Sequence, residues 1–467
     1  MNIWGSPAER YETEKPKRKL LALNGGAIRG VKTLEIISSL EERLKKNSAN
    51  ASAKRDKIRR DIFICYRRED SAEVVDRIYG ELQAAYPGRV FRDISEMQGG
   101  LDFEDQVKHQ LQQCQAALVV IGPDWLNCIL ALQAPNGGFR TGPGLEPQVW
   151  CTAQCLTALL TSPLDLKEEH DKIVRAFQFI ENSRDAKTDG WGLFEDSSVA
   201  QTELAAWVCV ANAQLLASTR SKLFADQVPD ARRRINRDLA SIARCQLPSP
   251  RGAWSPIWVP DKMVPELART YSTIMALWVL AEARDVSDIH EEIGSKYDVA
   301  IDEGVAWLLA NFHPDVGLPA APSISHDPFP GLTAQAIYVL RRIERVRPNL
   351  RNLGADPIAK EIFLKLVNTG EPFQSRDVMG GEVSNLRPTQ YKLENSSFLR
   401  FPWFLLATSS LRNDDALSGA DKKTAAECFE RLKFRSGGLD THLRTAETWE
   451  IAETLFCVSS TYLQLKA

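Results

Sequence analysis

Apolar residues along this chain follow two patterns. Up to residue 127 they come in short runs, continuous over Leu20 to Leu23, Ile62 to Tyr66 and Ala116 to Ile121 and interrupted by Arg92 and Asp93 over Val90 to Ile94. Runs of four to six apolar residues bounded by turn residues predict strands buried on both faces, as in a parallel sheet. Between them the spacing changes to three and four. Leu34, Ile37, Leu40 and Leu44 share one helical face, and Val74, Val75, Ile78, Leu82 and Tyr86 share another. A third helix is expected over 103–114. Residues 47–60 are small and polar, then basic, and read as a linker.

From residue 128 the pattern is helical throughout and repeats. Glycine turns at Gly138, Gly190, Gly252, Gly317, Gly380 and Gly437 stand 52, 62, 65, 63 and 57 residues apart. After most of them a helix opens on a small hydroxyl residue and carries an aromatic or aliphatic face, as over 150–160, 202–207, 269–278, 331–338, 396–403 and 445–452. Second helices lie between, for example over 172–180 and 300–310. Six helix pairs in this length fit a closed ring, in which each pair buries its apolar face against its neighbours.

Composition narrows the class. At ~100–200 residues per domain, 467 residues suggest two to four domains, and 44% hydrophobic residues supply ample core. There is no apolar run of ~18 residues, so no membrane-spanning helix is expected. The polar, charged start predicts no secretory leader. Nine cysteines, scattered without metal-type pairing, predict free thiols, a cytoplasmic setting and no metal. Residues 1–60 carry 15 Lys and Arg against 7 Asp and Glu, net +8, which leaves −11 for the rest of a chain of net charge −3. That leader reads as a solvated segment, and no nucleic-acid partner is expected.

Three stretches resemble known families. Leu20-Leu21-Ala22-Leu23 followed by Asn24-Gly25-Gly26-Ala27-Ile28-Arg29-Gly30 is similar to the oxyanion loop that opens patatin-like phospholipases, with Asn24 and Ala27 departing from the pattern. The GxSxG nucleophile elbow is missing from the chain, so the segment is expected to serve folding rather than lipid hydrolysis. Its strand is expected to join the next three as a fourth.

Ile62-Phe-Ile-Cys-Tyr-Arg-Arg-Glu-Asp-Ser71, Val90-Phe-Arg-Asp93, Gly99 to Phe103 and Val119-Val-Ile-Gly-Pro-Asp-Trp125 resemble the bacterial TIR domain. The resemblance implies self-association through the loop at 95–103 and cleavage of the nicotinamide–ribose bond of NAD, with NAD as substrate. It places Tyr66, Arg67, Arg68, Asp93, Gly99 and Trp125 at the pocket. Such cleavage needs a carboxylate beside the glycosidic centre where oxocarbenium charge develops. The family's glutamate helix has no counterpart after Asn127, and Glu146, flanked by Gly144 and Pro147, is the first acid after Trp125.

The repeating segment resembles the α/α-toroid of squalene cyclases and prenyltransferases. Their DxDD, DDxxD and zinc-ligand devices are missing, so terpenoid chemistry is not expected. The aromatic set Trp150, Trp191, Trp207, Trp254, Tyr271, Trp278, Phe398 and Trp403 is the candidate lining for a small apolar ligand or a peptide. His313 and His326 read as surface residues.

The chain is therefore read as multidomain. A patatin-like fragment and linker (1–60) and a partial α/β, parallel-sheet TIR-like part (61–127) precede an all-α (α/α)6 toroid (128–467). The leading expectation is an anti-phage or immune-type signalling protein with a sensing ring. The alternatives are a non-catalytic ligand-binding or scaffold protein and a cyclase- or prenyltransferase-like enzyme.

Overall fold

The computed structural model describes residues 19–24, 62–66, 75–76, 78–80, 82–84, 87, 90–92 and 116–121 in the N-terminal part. From 124 it describes all but 163–165, 196–199, 218–219, 257–267, 286–294, 315–316, 323–328, 353–355, 370–375, 379–396, 400, 413, 415–416, 436–447 and 467. Contacts divide the chain into two units, Met1–Asp124 and Trp125–Ala467.

The first unit holds a four-stranded parallel sheet. Its strands are β1 (Lys19–Asn24), β2 (Ile62–Tyr66), β3 (Val90–Arg92) and β4 (Ala116–Ile121). Their order is β1-β4-β2-β3. The strand at 19–24 does join the other three: Leu21 lies opposite Leu118, and Ile64 takes the other side of that same residue. A parallel sheet has to be covered on both faces, which is why its strands are apolar without alternation. Val75, Ile78 and Leu82 are buried, as the helical spacing over 74–86 predicts.

The second unit is built from helices. After the short α1 (Asp124–Leu130) come α2 (Val149–Thr161), α3 (His170–Asn182), α4 (Thr202–Leu216), α5 (Val228–Arg244), α6 (Thr270–Asp285) and α7 (Asp298–Ala310). They continue with α8 (Pro330–Val346), α9 (Asp356–Thr369), α10 (Phe401–Leu411), α11 (Gly419–Arg435) and α12 (Thr448–Lys466). The even-numbered helices from α2 to α12 form a closed inner circle, in which each packs on the next and α12 packs on α2. The odd-numbered helices α3 to α11 lie outside, each against the inner helix that precedes it.

Chemistry sorts the two layers. An inner helix touches protein on every side, so it is apolar or small all round: every residue of α2 except Trp150 is buried. An outer helix keeps one wet face, and α5 buries only Ala231, Arg234, Ile235, Asp238, Leu239, Ser241 and Ile242.

The turns between layers repeat. Phe139, Trp254 and Leu318 each donate a backbone N–H to a threonine hydroxyl in the following inner helix, Thr152, Thr273 and Thr333, at 2.8, 3.0 and 2.9 Å. Gly137 and Gly252, at φ 96° and 94°, let the chain pass hard against the backbone carbonyls of Arg175 and Glu303, and Asp189 takes the same left-handed conformation at φ 54°. Away from the turns, buried charges pair: Arg184 with Asp238, and Arg341 and Lys360 with Glu344 and Asp414. Among the described residues no helix is long and apolar enough to cross a membrane.

Candidate functional site

The first residue of an inner helix fixes where the circle opens. Backbone N–H groups in a first helical turn have no partner inside the helix. Here the leading N–H of α2, α4, α6 and α12 (Val149, Thr202, Thr270 and Thr448) reaches the carbonyl of the turn before the next inner helix, at Leu193, Pro256, Ala320 and Thr141. The hydroxyls of Thr202 and Thr448 repeat the bridge, at 2.6 Å to Ser255 and 3.2 Å to the Thr141 carbonyl. These links gather the inner-helix N-termini at one end of the ring, its mouth. They also explain why a small hydroxyl residue opens the helices.

Around this mouth aromatic and acidic side chains converge. Trp150, in the first turn of α2, lies against Trp449 of α12 with ring centroids 5.1 Å apart. Tyr271, in the first turn of α6, accepts the indole N–H of Trp207 at 3.0 Å, and that of Trp150 as well. Burial pushes the Tyr271 hydroxyl well above its ordinary value, and the nearby charge of Glu453 adds to the shift.

Glu203, in the first turn of α4, accepts the hydroxyl of Ser272 at 2.5 Å. Burial raises it to about 7, against the opposing effects of the Ser272 bond and the Arg269 charge. Glu453 of α12 is 4% exposed, accepts the indole N–H of Trp403, and meets the side-chain amide of Gln335 at 3.5 Å. Burial takes it to about 8, with the charge of Glu450 adding to that and the Trp403 bond opposing it. Two carboxyls that stay protonated near neutrality are groups able both to give and to accept a proton.

Deeper in, the ring is filled. Trp207, Trp278, Tyr338, Trp403 and Phe456 come from five inner helices and pack tilted or edge to face, with centroids 5.1 to 6.4 Å apart. Beneath this layer Glu282 accepts Gln214 at 2.7 Å and Trp278 at 3.3 Å and pairs with Arg342 at 2.7 Å. The lumen is therefore a shallow cup floored by aromatic rings.

The aromatic residues expected to line a ligand space separate on this geometry. Trp150, Tyr271, Trp207, Trp278 and Trp403 face the lumen or its mouth. Trp191 and Trp254 do not. Each is buried in the wall, where its indole N–H donates to an outer-helix carbonyl, Ile180 and Ile242, at 2.8 Å. The backbone of Phe398 lies in a short strand (Ser397–Leu399), and its side chain is outside the described residues. Glu203, Glu453 and Gln154 were not singled out from sequence. The available signal was an acid or amide within the first turns of a helix that is otherwise mostly apolar or small.

In the first unit, Tyr66 ends β2, while Arg67, Arg68, Asp93 and Gly99 lie outside the described residues, as do the patatin-like loop, the linker, the helix at 103–114 and His326. Trp125 lies in the first turn of α1, with its side chain undescribed. Glu146 is exposed in the turn between α1 and α2, and His313 is exposed as well. Among the described residues no three His, Cys, Asp or Glu side chains converge on a metal position.

Comparison with known proteins adds a family. Residues 62–160 match the TIR domain. The match continues past Asn127 into α2, and so takes in the first helix of the ring. No curated protein sequence matches. Among solved structures, cellobiose 2-epimerase from Spirochaeta thermophila superposes with a TM-score of 0.50 at 11% identity, over 78% of this chain and 97% of that one. The α-1,6-mannanase GH76A from Salegentibacter sp. HEL1_6 gives 0.49 at 12%, over 77% and 99%. A D-mannose isomerase gives 0.48 at 12%, over 73% and 88%. The epimerase likeness shows the fold, an α/α ring. The family match does not extend to the patatin-like fragment.

Proposed function

We propose that this chain is a TIR-type signalling protein whose helical ring binds the ligand it responds to. The TIR match at 62–160 supports the signalling half. The observation that carries the sensing half is the mouth, where Trp150, Trp449, Tyr271, Glu203 and Glu453 converge above the aromatic floor.

In this reading the TIR part takes NAD as substrate and breaks its nicotinamide–ribose bond. Tyr66, Arg67, Arg68, Asp93, Gly99 and Trp125 form the pocket, and a carboxylate faces the developing oxocarbenium charge. Self-association through 95–103 assembles the active form. The test is purified full-length chain incubated with NAD, with and without phage lysate, while nicotinamide is followed. Release on triggering supports the reading; no release under any trigger removes the effector half.

The composition of α1 favours a second reading. Asp-Trp-Leu-Asn-Cys-Ile-Leu holds no glutamate where the TIR resemblance calls for one. On that reading the protein binds through its ring and turns nothing over, so ligand shifts its tryptophan fluorescence while NAD stays intact.

A further inference from the structure

We propose that the ligand of the ring mouth is a small organic amine, bound as its ammonium ion beside the packed indoles of Trp150 and Trp449 and against the carboxyl groups of Glu203 and Glu453, with Gln154 as its hydrogen-bond partner. The proposal rests on the sensing role assigned to the ring and names the chemistry of what it senses.

Three observations point the same way. The first is Gln154. It is 1% exposed, in the middle of α2, and neither its amide nitrogen nor its amide oxygen has a hydrogen-bond partner. Burying both groups without partners is costly, so a ligand that completes the pair is favoured. Gln154 lies one turn below Trp150 on the same helix face, and Glu453 lies one turn below Trp449 on the helix packed against it. Gln154 therefore stands one turn beneath the tryptophan pair, at the level of Glu453. It offers an acceptor to an ammonium N–H and a donor to a second polar group of the ligand.

The second is charge. The titratable and charged groups at this level are Glu203 on α4, Arg269 just ahead of α6, Tyr271 on α6, and Glu450, Glu453 and Cys457 on α12. Among the described residues α2, α8 and α10 present Gln154, Gln335 and Trp403 there, none of them charged. Arg269 answers Glu203, and no described cation stands against Glu453. A desolvated carboxyl without a counter-ion keeps its proton; a cation arriving beside it would displace that proton and take its place.

The third is the aromatic surround. Trp150 and Tyr271 are half-buried at the entrance, and Trp207 and Trp403 are buried further in. The negative faces of indole and phenol rings attract a desolvated ammonium ion and give a neutral isostere no equivalent term.

Ammonium binding therefore displaces a proton from a carboxyl held at about 7 or about 8. The experiment titrates full-length protein with 3-amino-1-propanol and putrescine and with their uncharged isosteres 1,3-propanediol and 1,4-butanediol, reading tryptophan fluorescence and calorimetry between pH 6 and 8.5. The amines are expected to bind and the diols not. Amine affinity should rise with pH by up to about tenfold per unit for each carboxyl that gives up its proton, with proton release visible as a buffer-dependent heat. Glu453→Gln should flatten the pH dependence, and Gln154→Leu should weaken binding at least tenfold in a protein that melts no lower than the parent.

Equal binding of amine and diol, or amine affinity independent of pH, would overturn the amine class and leave the ring a binding module. Absence of response to either amine would also sink it. Cellobiose, run as an uncharged sugar, then tells whether the mouth takes a neutral ligand instead, and nicotinamide release remains a separate measure of signalling.

Discussion

Single residues in this ring act through what surrounds them. Gln154 keeps an unsatisfied amide buried beneath the mouth, so Gln154→Leu should raise the melting temperature of the ligand-free protein, and a lower one would show that the amide has a partner. Gly137 and Gly252 are held at positive φ, where an added Cβ would stand 2.3 and 2.1 Å from a backbone oxygen. Alanine at either position should cost well over the ~1 kcal/mol of backbone strain alone. Gly144, also at positive φ but with open space around it, should tolerate alanine far better in the same thermal unfolding series.

The raised carboxyls give a pH dependence of definite sign. In the folded protein Glu203 and Glu453 hold their protons up to about 7 and about 8, whereas in the unfolded chain they lose them near 4.5. Between those values the folded state binds more protons. Their contribution to stability is full below about 4.5 and is lost as pH climbs to about 8. Melting temperatures across that window should fall as pH rises, and more gently in Glu203→Gln/Glu453→Gln. A double variant with the parent's slope would place the titration elsewhere.

Between elements, the ion cluster of Arg341, Glu344, Lys360 and Asp414 ties α8 to α9 and to the turn after α10, with Lys360 wholly buried. Lys360→Met would leave two buried carboxylates facing one guanidinium, and a loss of about 3–5 kcal/mol in denaturant unfolding is expected. This is also the scale at which the chain was most legible. Helices could be read because outer ones alternate and inner ones are apolar all round, and strand β1 because a buried parallel strand has no polar face. The threonines that open the inner helices were visible as a pattern before their bonds gave the reason. Lumen and wall were not separable in sequence, since Trp191 in the wall and Trp207 in the lumen both stand beside small residues. The acids were hidden for a related reason: at the start of a helix Glu203 reads as a solvated charge until the neighbouring inner helix is seen to bring Ser272 and Arg269 to it.

For the whole molecule, closure distinguishes this ring from an open stack of repeats. In a stack each terminal repeat has one neighbour, and losing it costs one interface. Here α12 closes the circle: it packs on both α10 and α2, supplies Trp449, Glu453 and Phe456 to the centre, and its Thr448 bonds back to Thr141. Removing residues 448–467 would open two interfaces at once. It would also strip the acceptor from the Trp403 indole and uncover the apolar faces of α2 and α10. The shortened protein should lose its cooperative melting transition and elute as aggregate, although a single helix is gone. If it instead melts within a few degrees of the parent, as an open array would, the inner helices do not depend on closure, and the cup at their N-termini could not hold the geometry that ligand binding requires.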